Sequence, residues 1–298
     1  MNRISVIEDS GFFGKIFRSK DVENNSSLAF DSELDKIKKS GKTQAEKVED
    51  YCKLALKESA AKRRQNAIKA FSFALKAVPG PLSDSEKIFA GVLKDQKIKN
   101  HEELISNCLH LIAGEMAKTN LSVHDMTFIS GGSLDKFEFQ FILVQELSNA
   151  FRFNESLKIA IKMDDGALPQ KIKAFTYLAS KAEGQSAHIL FNKALKLARS
   201  CNVNYLKADF EEEIIIQMAE SDLFNDALRA ALKIEIISNK VSSLCGIAVV
   251  MNEKGYAESG EKILNMAKKI VEIVSRSDAN LNRLIESAEN QIKKQSSS

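Results

Sequence analysis

Apolar residues between Thr43 and Val78 recur at the three- and four-residue spacing that places side chains on one face of a helix. The clearest such positions are Ala67, Ala70, Phe71, Ala74 and Leu75. The pattern predicts a helix over this stretch, with Lys62 as a candidate position for a break. The turn Pro79-Gly80-Pro81 ends it, because proline cannot continue a helix.

Helical patterning extends over residues 31–130, which we expect to form an N-terminal helical region. The motif Ser130-Gly131-Gly132-Ser133 closes this region and is the best candidate for an internal boundary. Residues 1–30 are polar and rich in Ser and Asn, and we expect a mobile tail there.

A repeat begins just beyond this boundary. Residues 153–160 align with 224–231, and residues 171–179 align with 240–248, at an offset of roughly 70 residues. This offset fits two helical hairpins of about 35 residues each. The hairpins are expected at residues 134–163, 169–201, 204–236 and 239–275, followed by a terminal helix at about 278–294 with a polar outer face.

The last hairpin resembles the tetratricopeptide (TPR) repeat. Its first helix carries the apolar stripe Leu244, Ile247 and Ala248, and Gly255-Tyr256 stands where that family has its turn. Gly260, Leu264 and Ala267 occupy the small, large and small positions of its second helix. We expect Ala248 and Gly260 to face each other at a close approach of the two helices.

The resemblance covers residues 134–295 and is degenerate. Ile215 and Phe191 fill positions that are usually small, and the proline that often ends the second helix is absent. The fold class it implies is all-α, an α-solenoid of antiparallel helical hairpins in a right-handed TPR-like superhelix.

Composition agrees with helices joined by short loops, because the chain has only 3 prolines and 13 glycines among 298 residues. No apolar run approaches the ~20 residues that span a bilayer, and no secretory signal is apparent at the N-terminus. The four cysteines form no C-x-x-C pair and are expected to be reduced thiols. We expect a cytoplasmic protein; the alternative is a secreted bacterial effector acting in a host cytosol.

No catalytic motif is present, and we expect neither an enzyme nor a cofactor or metal site. Cys108 and His110 are close in sequence, but their spacing places them on different helix faces. Ser130–Ser133 is short and lacks the lysine of a phosphate loop, which favours a capped linker. An enzyme or small-ligand domain within residues 31–130 is the alternative that no constellation supports.

A basic cluster comprises Lys62, Arg63, Arg64 and Lys69. Nucleic-acid or anionic-lipid binding is one hypothesis for it. A solvated helix face is the favoured interpretation, because Glu58 precedes Lys62 by one turn and the net charge is only +3. The acidic run of residues 211–213 is also expected to be a solvated face.

The expected function is a scaffold or adaptor that binds a peptide or protein in the concave groove of the stack, which is what the TPR resemblance implies. Helix phase selects these groove residues: Gln145, Asn149, Lys173, Tyr177, Lys181, Glu212, Gln217, Ser243 and Asn252.

Phe12, Phe13 and Phe17 form an apolar island in the polar tail. They are expected either to dock on the protein's own helices or to act as a linear motif for a partner or a membrane surface.

Overall fold

The computed structural model describes residues 28–80, 96–131, 136–274 and 278–296. Only the backbone is described for residues 96–100 and for residue 296. The described residues form helices joined by short loops and include no strand, which confirms the all-α prediction. The chain divides into two compact units, Met1–Phe139 and Gln140–Ser298. Phe12, Phe13 and Phe17 lie outside the described residues, as do Gly132 and Ser133.

The first unit contains five described helices. They are α1 (28–39), α2 (Gln44–Ala60), α3 (Arg64–Ala77), α4 (Gln96–Ala117) and α5 (Val123–Ser130). α2 begins at a capping box in which Thr43 and Glu46 satisfy each other's backbone amides. α4 packs on both α2 and α3, and α5 packs on α3. The chain breaks between α2 and α3 at Lys62, as the sequence suggested.

The second unit follows from within α6 (Lys136–Asn149). The later helices are α7 (Phe153–Lys162), α8 (Leu168–Lys181), α9 (Gly184–Arg199), α10 (Asn204–Glu220), α11 (Phe224–Ala231), α12 (Ile237–Glu253), α13 (Ala257–Val274) and α14 (Ala279–Ser296). A 3₁₀ turn, Asp165–Ala167, precedes α8. The helices from α6 to α13 fall into four pairs that overlap the four predicted hairpins, and α14 follows them. α8 begins one residue, and α12 two residues, before the predicted starts.

Packing within the second unit follows the chain order. From α7 to α14, each helix contacts the next helix along the chain. Contacts also join alternate helices in succession, from α8 to α10, from α10 to α12 and from α12 to α14. Large side chains fill the layers between them, including Phe175, Phe191, Ile215 and Leu244, all buried. In the pairs from α8 onward, the first helix therefore packs one side against the second helix of its own pair and another side against the helix that begins the next pair, or against α14.

Three of the four pairs turn through the same backbone geometry. Phe151, Asp222 and Gly255 each adopt positive φ between the two helices of a pair. The following amide donates to a carbonyl five residues back, as Arg152 does to Leu147 at 2.8 Å. This is the left-handed helix ending that satisfies otherwise unpaired carbonyls. Lys62 shows the same geometry between α2 and α3, so the turn also occurs in the first unit.

A small buried residue follows each of these turns by five positions. These residues are Ala67, Ser156, Ala227 and Gly260. A Cβ added at Gly260 would lie 2.8 Å from the carbonyl oxygen of Ala248, closer than real contacts allow. The predicted close approach is therefore confirmed. At the equivalent place in the first pair, the Ser156 hydroxyl donates to the Val144 carbonyl at 2.6 Å.

α14 covers the last pair. Leu281, Ile285 and Ala288 are buried against it, and Leu284 is half-buried. Contacts run to both helices beneath: Asn252 of α12 donates to Gln295, and Lys268 of α13 pairs with Glu289 at 2.8 Å. The remaining face of α14 is polar, as expected of a terminal helix.

Candidate functional site

Three of the predicted groove residues come together where α6 and α8 end. The Tyr177 hydroxyl donates to Oδ1 of Asn149 at 2.8 Å, and the Lys181 ammonium lies 5.5 Å from the centre of the Tyr177 ring. Burial, and then the charge of Glu146, raise the pKa of Tyr177, although its bond to Asn149 acts in the opposite direction. The phenol is therefore a neutral donor at physiological pH, and it fixes the orientation of the Asn149 amide.

An open groove of about 650 Å³ lies beside this cluster. The end of α6 and the start of α7 form one wall, and the end of α8 and the start of α9 form the other. Its lining residues are Ser148, Asn149, Phe151, Phe153, Lys181, Ala182, Glu183 and Ser186. Aromatic surface, one cation, one carboxylate and several hydroxyl and amide groups thus face one space, which suits a mixed polar and apolar ligand.

Phe151 is the unusual residue of the groove. Its side chain is 96% exposed, and its φ of 59° lies in the left-handed region. Bulky residues seldom adopt this conformation, which costs an L-residue about 1–2 kcal/mol. Asp222 and Gly255 occupy the same position in later pairs. The chain thus keeps an exposed aromatic ring where glycine would be less strained.

The other predicted groove residues are not part of this cluster. Gln145 and Lys173 lie one helical turn before Asn149 and Tyr177, half-buried and exposed respectively. Ser243 is fully buried, so the expectation that it faces a groove is wrong. Its helix, α12, contacts four other helices and leaves little free face for a small polar side chain.

Internal hydrogen bonds hold the remaining three. Glu212 accepts from Asn239 at 2.8 Å and Ser242 at 2.6 Å, both on α12. Gln217 donates to Glu220 at 2.6 Å within α10, and Asn252 donates to α14. These polar groups join neighbouring helices or stay within one, so they form no common site with Asn149 and Tyr177.

Sequence reasoning missed six of the residues that line the groove: Ser148, Phe151, Phe153, Ala182, Glu183 and Ser186. The alignment of residues 153–160 with 224–231 contained a signal for Phe151. Extended two residues back, it matches Phe151 with Asp222 at the turn. An aromatic residue at a turn position that favours glycine or a short polar side chain points to a use other than folding.

The basic cluster in the turn between α2 and α3 and on α3 is largely neutralised within the first unit. Arg63 forms a two-pronged pair with Glu58 at 2.6 and 2.7 Å, and Arg64 does the same with Asp125 at 2.9 and 2.6 Å. Lys69 pairs with Asp31 at 2.7 Å. The predicted interaction of Glu58 with Lys62 is replaced by the pair with Arg63. Among the described residues, Lys62 is thus the one member of the cluster that forms no ion pair with a carboxylate.

Glu58 and Asp125 are both buried carboxylates. Burial would raise the pKa of each. The hydrogen bonds outweigh it, from Arg63 and Asn66 to Glu58 and from Arg64 and Ser122 to Asp125, so both pKa values lie below the ordinary range. Both groups are charged at neutral pH and serve the packing of α2, α3 and α5.

The acidic run 211–213 is not wholly solvated. Glu211 is buried and accepts from Nε of Arg199 at 2.7 Å, which joins α9 to α10. The expectation of a solvated face is therefore wrong for Glu211, because Arg199 of the preceding helix pair contacts its carboxylate.

Within the described residues, no group of three or more His, Cys, Asp or Glu side chains is placed to hold a metal ion. Cys108 is buried while His110 is exposed, so the two lie on different faces as expected. Burial raises the pKa of Cys52 to about 12 and that of Cys245 to about 11. These thiols are protonated at neutral pH and poorly nucleophilic.

No described helix is both long enough and apolar enough to cross a bilayer. Comparison with known proteins found no matching family model, no matching curated protein and no matching solved structure.

Proposed function

We propose that the second unit is a TPR-like α-solenoid that acts as a scaffold, binding a peptide or protein partner in the groove between the first two helix pairs. Three features support the architecture. From α8 onward the first helices of the pairs contact one another in succession, the left-handed turn recurs, and a small buried residue follows each such turn, with a close helix approach at Gly260.

Phe151 is the observation that carries the binding proposal. An aromatic ring that is 96% exposed contributes little to folding, and its backbone strain opposes folding. Aromatic side chains supply much of the energy at protein interfaces when a partner buries them. A partner that covers this ring would therefore recover the hydrophobic contribution that the free protein lacks.

The rest of the groove defines how such a partner would be oriented. Asn149 is held by Tyr177, so its amide is presented in one direction. Lys181 and Glu183 place opposite charges on the same wall. An extended segment with an apolar side chain against Phe151 and backbone groups facing Asn149 matches this arrangement.

Affinity purification of the full chain, with quantitative mass spectrometry, tests the proposal. Phe151→Ala should lose a partner that the wild-type protein retains. Ile273→Ala removes another exposed apolar side chain, 84% accessible on α13, and should retain that partner. Retention of every partner by Phe151→Ala, or equal loss in both variants, would exclude the groove as the binding site.

A further inference from the structure

A second cavity lies between α9 and α11, away from the groove around Phe151. Its volume is about 230 Å³. Leu195, Met218 and Ala230 provide the apolar part of its lining, and the other lining residues are polar or charged. These are His188, Asn192, Arg199, Asp226, Arg229 and Lys233. α9 and α11 belong to neighbouring pairs, so the cavity brings together charges that are distant in sequence.

Carboxylates of the protein hold three of the basic groups in place. Asp226 pairs with Arg229 and also lies 2.8 Å from Nδ1 of His188. The buried carboxylate of Glu211 accepts from Nε of Arg199. Arginine has five N–H donors in a fixed plane, so a pair through Nε leaves the terminal nitrogens of Arg199 for a ligand. Oriented cations of this kind need little rearrangement to bind an anion.

The cavity lining carries an excess of positive charge. Arg199, Arg229 and Lys233 contribute three cations against the single carboxylate of Asp226, with His188 counted as neutral. Lys233 has no carboxylate partner in the portion of the chain described. Even with the buried Glu211 included, cations outnumber carboxylates, and a ligand anion would complete the arrangement.

Size restricts the class of anion. Sites for drug-sized ligands usually occupy about 300–1,000 Å³, and this cavity is smaller. It has room for one phosphate-sized group. Guanidinium groups match the geometry of phosphate oxygens, and a lysine ammonium adds a point charge.

We propose that this cavity binds a phosphate group, supplied either as free inorganic phosphate or by a phosphorylated side chain of a partner. Arg199, Arg229 and Lys233 contact its oxygens, and Asp226 and Glu211 keep His188 and the arginines in position. The site is independent of the proposed peptide groove, and either can fail without the other.

Amide NMR titrations of the full chain test the site at constant ionic strength. The probes are inorganic phosphate, a phosphoserine peptide and the same peptide without phosphate. Inorganic phosphate should produce saturable shifts within residues 188–199 and 226–233. Tighter binding of the phosphoserine peptide would assign the ligand to a partner, whereas equal affinity for inorganic phosphate would assign it to the free ion.

Lys233→Gln is the test variant. Lys233 forms no ion pair with a carboxylate in the described residues, so the substitution removes a charge from the cavity without breaking a contact that stabilises the fold. Phosphate affinity should fall about fivefold, the order expected for one exposed charge contact. Lys269→Gln makes the same charge change on α13 and should leave affinity unchanged. The proposal is overturned if no saturable shift appears at these residues, or if both variants weaken binding equally.

Discussion

Replacing Phe151 by glycine separates folding from binding at one position. The side chain is 96% exposed, so its removal sacrifices almost no buried surface. Glycine adopts the observed φ of 59° freely, which relieves a strain of about 1–2 kcal/mol. The greater freedom of glycine in the unfolded chain opposes this by about 0.4–1 kcal/mol. We therefore expect a net stabilisation of about 0.5–1 kcal/mol.

Thermal unfolding of the full chain, followed by circular dichroism, measures this difference. A gain of that size corresponds to a rise in Tm of about 1–4 °C for a unit of this length. Asp222→Gly is the matched control, because Asp222 has the same backbone conformation and lies outside the groove. The stability of Asp222→Gly should also rise, but by a smaller amount, because this substitution also removes the exposed ion pair between Asp222 and Lys254.

Both variants should gain stability, and only Phe151→Gly should weaken partner binding. A loss of stability above about 1 kcal/mol for Phe151→Gly would mean that the ring packs on the protein. That result would refute the reasoning that the exposed ring serves a partner.

Three further predictions concern packing and titration. Gly260→Ala should destabilise the protein by about 1–3 kcal/mol in chemical denaturation, because its Cβ would meet a backbone carbonyl at 2.8 Å, whereas Gly41→Ala, with open space around it, should not. Asp125 has a lowered pKa, so its contribution to stability is full above its ordinary value of 3.8 and disappears as pH falls through the folded value. The deficit of Asp125→Asn in urea unfolding should thus be larger at neutral pH than at about pH 3; an equal deficit at both would contradict the ion pair. In the native protein at about pH 8, a thiol reagent should modify half-buried Cys201 long before buried Cys52, whose pKa is about 12; equal rates would show that the core opens readily.

Much of the helical arrangement could be predicted because it depends on local patterns. The spacing of small and apolar residues gave the four pairs, the approach of Gly260 to Ala248 and the buried face of α14. Each of these follows from the 3.6-residue period and from the repeat, which the sequence displays directly.

The site was less predictable because it depends on contacts between pairs. Helix phase selected Asn149, Tyr177 and Lys181, which lie together where α6 and α8 end. It failed at Ser243, where several helices surround α12, and at Glu211, where Arg199 arrives from the preceding pair. A periodic pattern identifies which residues share a face and does not reveal how many neighbours cover it.

Site-specific photo-crosslinking from position 151 tests the scaffold function most directly. Benzoylphenylalanine at this position keeps an exposed aromatic side chain in the groove, and the same residue at position 161 serves as a control on the exposed surface of α7. The structure predicts a partner adduct from position 151 and none from position 161. Absence of any adduct from position 151, or the same adduct from both positions, would contradict partner binding in this groove.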